Sequence, residues 1–220
     1  MMKAIDLTHT INPGKVQRKF SIERIGAETV NPNVVRQSGQ WYIMTNINMV
    51  SHIGTHIEVP FHLFQDGKDL SEVPLEMFFG PAVVLDFSFI QKRIPITEEL
   101  CKKAAIDAGG IQKDDIVLCN LGYSEKYGTE AYNNSPYFSE DAIRFLVESN
   151  MKMMGVDAGG VEIPASKTHV NHAQLFSHNI PLIENVANLR ALRTKRCTVF
   201  AWPYPIKGVE AFPVRVVAFV

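Results

Sequence analysis

The sequence predicts an α/β domain with a largely β core, on three observations. Short runs rich in Val, Ile and Phe recur along the chain, turn residues separate them, and few stretches carry helical spacing. Ala82 to Phe87 follows the turn pair Gly80-Pro81, and Asp115 to Leu121 is a second apolar run. Cys197 to Trp202 and Val214 to Val220 are further strands, parted by Pro- and Gly-containing turns; Ile5 to Ile11 and Phe20 to Ile25 are weaker ones. Thr97 is a good N-cap for a helix through Glu98 to Ala108, which Gly109-Gly110 stops. Ser139 caps Glu140 to Glu148, where Ile143, Leu146 and Val147 stand at helical spacing. Thr168 to Ser177 is a third helix candidate.

The 220 residues contain no internal repeat and no Gly/Ser or Pro-rich linker, so residues 1–220 read as one domain. The formal net charge is −1 and the 22 Lys and Arg residues are scattered, which argues against nucleic acid or an anionic membrane as partner. Cys101, Cys119 and Cys197 form no C-x-x-C pair and fit a reducing compartment. Cys119 and Cys197 sit in apolar runs and are expected as buried thiols. The first residues have no signal-peptide pattern and no run reaches membrane-span length, so the expected location is cytoplasmic.

The chemistry concentrates in residues 51–62, Ser-His-Ile-Gly-Thr-His-Ile-Glu-Val-Pro-Phe-His. Three of the seven histidines fall there with one carboxylate. In an extended chain, alternate side chains share a face. His52, His56, Glu58 and His62 would then stand on one face, with Ile53, Ile57, Val59 and Phe61 on the other, continued upstream by Ile47 and Met49. A straight strand would hold His52 and His56 about 13 Å apart at roughly 3.3 Å per residue. One ion with bonds of about 2 Å could not join them. A helical turn would bring them together, but Gly54, the β-branched residues and Pro60 oppose a helix. The expectation is a strand end kinked at Gly54-Thr55, with His56 and Glu58 aimed into a cleft. Imidazole and carboxylate without thiolate favour zinc or manganese. The bland alternative, satisfied core histidines, is weakened by three imidazoles and a carboxylate at these spacings.

A second group follows at His169, His172 and His178, then Glu184 at the end of the apolar run Ile180 to Ile183. A carboxylate there is costly to bury unless a metal or other cation meets it. Each of these histidines alone reads equally well as a solvated surface residue.

Residues 52–62 resemble the signature of the cyclase family of metal hydrolases, which includes bacterial kynurenine formamidase and isatin hydrolase. The pattern H-x-G-T-H-x-D-x-P-x-H is matched at His52, Gly54, Thr55, His56, Pro60 and His62, with Glu58 in place of Asp. The resemblance extends through Ile5 to Ile11, Asp66-Gly67, Gly80 to Val84 with Asp86, and Gly155-Val156-Asp157. It continues in His172 with Glu184 and in the closing residues Pro203, Pro205, Gly208, Pro213, Val214 and Arg215. Ala158 to Glu162 replaces a segment that often carries Pro, Ser and Asp.

The resemblance implies a swivelling β/β/α domain that assembles as a dimer or tetramer. It implies metal ligation by His52, His56 and Glu58, and a second ion held by Glu58, His172 and Glu184 in members that bind two. The cofactor would be zinc or manganese, one or two ions per subunit, and His62 would be the catalytic acid/base. The implied reaction is hydrolysis of a small amide, an aryl formamide such as N-formylkynurenine or a cyclic amide. The alternatives are a lactone or isatin-type hydrolase, a cyclase or dehydratase, and a non-catalytic metal- or ligand-binding protein. Phe20, Trp41, Phe61, Phe64, Phe78, Phe79 and Trp202 are candidates for an aromatic pocket, although such residues more often fill a core or an interface. Met77-Phe78-Phe79 reads alternatively as a subunit contact.

Overall fold

A computed structural model describes residues 2–14, 16 and 18–220. In chain order it runs β1 (Ala4–Asp6), β2 (Phe20–Gly26), α1 (Ala27–Val30), β3 (Ile43–Met49), β4 (His56–Glu58), β5 (Phe79–Asp86), β6 (Pro95–Ile96) and α2 (Glu98–Asp107). There follow β7 (Ile116–Asn120), β8 (Tyr137–Phe138), α3 (Glu140–Glu148), β9 (Met153–Val156), α4 (Val170–Ser177), β10 (Leu182–Glu184), β11 (Arg196–Phe200), β12 (Ala211–Pro213) and β13 (Val217–Phe219).

Nine strands form one sheet in the order β1-β13-β11-β5-β7-β9-β10-β4-β12. The centre, β5-β7-β9-β10, is parallel and the flanks are antiparallel. Parallel strands are covered on both faces, and alternation along these strands shows it. Val83, Leu85, Val117, Cys119, Met154 and Val156 face one apolar cluster, to which α2, α3 and α4 contribute. Ala82, Val84, Ile116, Leu118 and Met153 face a second, with residues from β1, β11 and β13. This is the expected largely β architecture, the swivelling β/β/α arrangement.

The two best-marked helices start where their caps predict. Thr97 Oγ1 accepts from the Leu100 amide and Ser139 Oγ from the Ala142 amide. Gly109 and Gly110 end α2 at φ +84° and +89°, left-handed values that glycine adopts without a Cβ clash. Several expectations need correction. The strand over Ile5 to Ile11 shrinks to β1, and that over Val214 to Val220 to β13, since their regular ladder spans only Ala4–Asp6 against Val217–Phe219. Ile47 and Met49 do not continue the packed face; they lie on a separate β2–β3 ribbon where Ile47 is 60% exposed. Cys197 is only partly buried, whereas Cys101 and Cys119 are fully so; all three are free thiols. Phe78 packs inside the second cluster rather than on the surface. No helix of the described residues is long and apolar enough to cross a membrane.

Candidate metal centre

Strand register places the centre. β4 and β10 pair antiparallel with His56 opposite Glu184 and Glu58 opposite Leu182. Directly opposed side chains share a face. His56, Glu58 and Glu184 therefore point one way, while Ile57 and Ile183 point the other, into the second apolar cluster. Helix α4 covers the polar side, anchored in the first cluster by Leu175 and Phe176, and carries His172 over the carboxylates.

The kink at Gly54 is present. Gly54 has φ +63°, and a Cβ there would lie 2.7 Å from Ile11 Cγ1. It brings the His52 and His56 ring centroids to 5.1 Å. Its carbonyl accepts from His56 Nδ1 and from Asn185 Nδ2, both at 2.9 Å. Past Val59 the expected strand is replaced by a 3₁₀ turn over Pro60–His62, since proline cannot donate to a ladder. That turn folds His62 back over His52, with ring centroids 4.4 Å apart.

Two triads of possible ligands share Glu58: His52, His56 and Glu58, and Glu58, His172 and Glu184, with ligand atoms in each within 4.8 Å of one another. Glu58 Oε1 is 2.7 Å from His52 Nδ1 and 3.1 Å from His56 Nε2. Glu58 Oε2 is 3.3 Å from His172 Nε2, which is 3.4 Å from Glu184 Oε1. His56, Glu58, His172 and Glu184 are all buried. Gly160, at φ +140°, leaves room for Glu184: a Cβ there would come 3.2 Å from its Oε1.

Each imidazole of the triads has its outer nitrogen occupied. His56 Nδ1 donates to the Gly54 carbonyl, His172 Nδ1 to Glu162 Oε2 at 2.5 Å, and His52 Nε2 to Glu210 Oε1 at 3.2 Å. Ser51 Oγ donates to the same Glu210 oxygen. This is how ligating histidines are held, with the other nitrogen turned toward the ion. The His62 ring makes no side-chain hydrogen bond among the described residues, although one of its nitrogens lies within 4.8 Å of ligand-type atoms of His52 and Glu210.

The electrostatics agree. Burial opposes charge on His172, but Glu162, Glu184 and Glu58 outweigh it and push its pKa up to about 12. Burial likewise opposes charge on His56, and Glu58 and Glu184 raise its pKa nonetheless. Burial acts to raise Glu58, yet the nearby imidazoles of His172, His52 and His56 hold it well below the usual carboxylate range. For His62 burial is the leading cause and its pKa is lowered, against the pull of Glu58. Glu58 Oε2 is buried without a hydrogen bond of acceptable geometry. An orphaned buried carboxylate oxygen is costly unless a cation meets it. The donor set of imidazoles and carboxylates, its shared carboxylate and this orphaned oxygen fit a divalent metal cofactor.

The centre opens into a cleft of about 370 Å³ lined by Arg18, His62, Gly160, Ile163 and His169 besides residues of the two triads. A smaller cavity of about 220 Å³ adjoins it, with Tyr127, Tyr132 and Asn185 in its wall. None of the seven aromatic candidates lines either space. Phe79 and Trp202 instead cluster with Phe200 on β11. Of the other histidines, His169 stands exposed at the cleft rim and His178 bonds the Gln174 carbonyl at the far end of α4. Glu210 and the two tyrosines carried no signal in sequence, because they approach the centre only through the sheet order and the loop before α3. The segment containing Glu162 stood out only as a departure from the family pattern.

The Cyclase family model, described as "Putative cyclase", matches residues 5–163, and the chain belongs to that family. A kynurenine formamidase from Bacillus cereus is 28% identical over 173 residues, 78% of this chain and 77% of the relative. Among solved structures, isatin hydrolase A from Labrenzia aggregata superposes with a TM-score of 0.83 at 27% identity, covering 100% of this chain and 94% of that one. A predicted metal-dependent hydrolase from Bacillus stearothermophilus gives 0.76 at 27% identity, covering 100% and 98%.

Proposed function

We propose that this protein is a metal-dependent hydrolase of small amides. His52, His56 and Glu58 would hold one ion, and Glu58, His172 and Glu184 a second, of zinc or manganese. The observation that carries the reading is Glu58, which presents one oxygen to each triad beside an imidazole, His62, that makes no side-chain hydrogen bond among the described residues. Such ions supply a Lewis acid for the amide carbonyl and make water nucleophilic near neutral pH.

The chain's own residues do the rest. His62, kept neutral by burial, accepts the proton of the attacking water and returns it to the leaving nitrogen, work typically worth 10²–10⁴-fold. Its freedom from fixed partners suits a group that must change protonation state twice. Arg18 is the guanidinium on the cleft wall and would meet an anionic group of the substrate. Ile163 gives the cleft an apolar patch beside the ligands, and a space of this size accommodates a small molecule. An aryl formamide such as N-formylkynurenine is supported by the kynurenine formamidase relatives, and a cyclic amide by the isatin hydrolase likeness. The exposed Trp41, just before β3, and Ile47 on the β2–β3 ribbon are surface that a homodimer or tetramer would cover.

The test is turnover of N-formylkynurenine and of isatin by protein reconstituted with zinc or manganese, against a chelated control, in ¹⁸O water. Metal-dependent turnover with ¹⁸O in the product supports hydrolysis. Product without ¹⁸O points to a cyclase or dehydratase, and tight metal binding without turnover of either compound overturns the proposed substrate class.

A further inference from the structure

Glu162 lies outside both triads, on the loop after β9, and makes contacts with both of its oxygens. Oε1 accepts the backbone N–H groups of Asn171 at 2.8 Å and His172 at 3.0 Å. These are orphan donors in the first turn of α4, whose N-cap residue His169 gives no side-chain cap. Oε2 accepts His172 Nδ1 at 2.5 Å. One carboxylate thus fixes both where α4 begins and which nitrogen of His172 is turned to Glu58 and Glu184.

We propose that Glu162 is the positioning residue of the His172 site, needed for that ion to bind and not itself a ligand. This rests on the reading of the cluster as a metal centre. A carboxylate offers acceptors on both oxygens, whereas an amide offers one acceptor and one NH₂ donor. Glu162→Gln has nearly the same shape, yet it cannot accept from the helix N–H groups and from His172 Nδ1 at once. Either way round, a donor is set against a donor. The side chain must swing away, and His172 then loses its orienting partner. Loss of such an outer partner typically weakens metal affinity 10–100-fold.

The experiment is titration of metal-free full-length protein with Zn²⁺ by calorimetry, for wild type, Glu162→Gln and His172→Ala, with far-UV circular dichroism as the check on folding. The site lost in His172→Ala identifies the ion concerned. The expected result is that Glu162→Gln weakens that ion 10–100-fold and leaves the other at wild-type affinity. Equal affinities for Glu162→Gln and wild type would overturn the assignment. A wild type that takes up no Zn²⁺ overturns the metal centre itself, a result distinct from the first. A second measurement needs no variant: nitrogen-15 NMR of the zinc-loaded wild type should show His172 bound through Nε2 with a protected Nδ1 proton. Binding through Nδ1 refutes the role given to Glu162.

Discussion

His56 and Glu184 face each other across β4 and β10, with Nε2 and Oε2 3.5 Å apart, although 128 positions separate them in the chain. Their pairing explains how residues from two distant segments make one centre. It also sets the buried carboxylates of Glu58 and Glu184, with the half-buried Glu162, around the imidazoles of His56 and His172, whose hold on a proton they strengthen. Metal binding must displace those protons. The expected outcome is proton release on Zn²⁺ binding, measured by calorimetry in buffers of different ionisation enthalpy, with affinity falling as pH is lowered. At a free ion concentration 100 times Kd the gain is about 2.7 kcal/mol, or roughly 5–10 °C in Tm for a chain of this size. A Tm that chelation leaves unchanged contradicts the centre.

His62→Ala separates catalysis from ligation. Its ring lies beside His52 but outside the two triads that share Glu58. The expected result is a loss of kcat of about 10²–10⁴-fold, with zinc stoichiometry and Tm close to wild type. Retained turnover removes His62 from the mechanism. Loss of zinc with turnover makes it a ligand instead.

Gly54 is expected to resist substitution. Gly54→Ala puts a Cβ at φ +63° and 2.7 Å from Ile11 Cγ1. The left-handed conformation alone costs about 1–2 kcal/mol, and the contact adds to it. Because the Gly54 carbonyl holds His56 Nδ1 and Asn185 Nδ2, zinc affinity should fall along with a Tm loss of several degrees. Thermal melts with and without zinc test this; a variant with unchanged affinity would show that the kink does not set the His56 ring.

Asp157 supplies a pH dependence apart from the two triads. Its carboxylate accepts from the amides of Leu121, Tyr123 and Ser124, at 2.6, 2.9 and 3.3 Å. Burial outweighs those bonds and raises its pKa to about 6 from 3.8. The folded state then holds the proton more tightly than the unfolded state, so stability falls as pH rises from about 4 to about 6. The whole effect is on the order of 3 kcal/mol. Asp157→Asn removes the titration but loses one acceptor. Its stability relative to wild type should therefore improve between pH 4 and 6, as read by urea unfolding. A constant difference across that range contradicts the assignment.

The local features of this protein were legible along the chain because they depend on neighbours in sequence. Thr97 and Ser139 cap their helices through amides three residues on, and Gly54 bends the chain by its own φ. The alternation of Ile57 with His56 and Glu58 declares which face is apolar and which is chemical. The most specific part of the family resemblance lies in the same short run, and Glu58 takes the position of the usual Asp while belonging to both triads.

What only the tertiary structure decided is how distant segments meet. Nothing in residues 51–62 says that β10 lies beside β4 in the register that opposes Glu184 to His56. The roles of Glu162 and Glu210 are likewise invisible locally, because each reaches its imidazole through a loop whose path is set by packing of the sheet and α4. The aromatic residues expected near substrate went elsewhere for the same reason: apolar rings are drawn by burial wherever the fold offers it, and their residue type does not name the place. Hydrogen-bonding and coordinating groups are directional and leave spacing signals when neighbours share them, whereas contacts between segments follow from the global arrangement of strands.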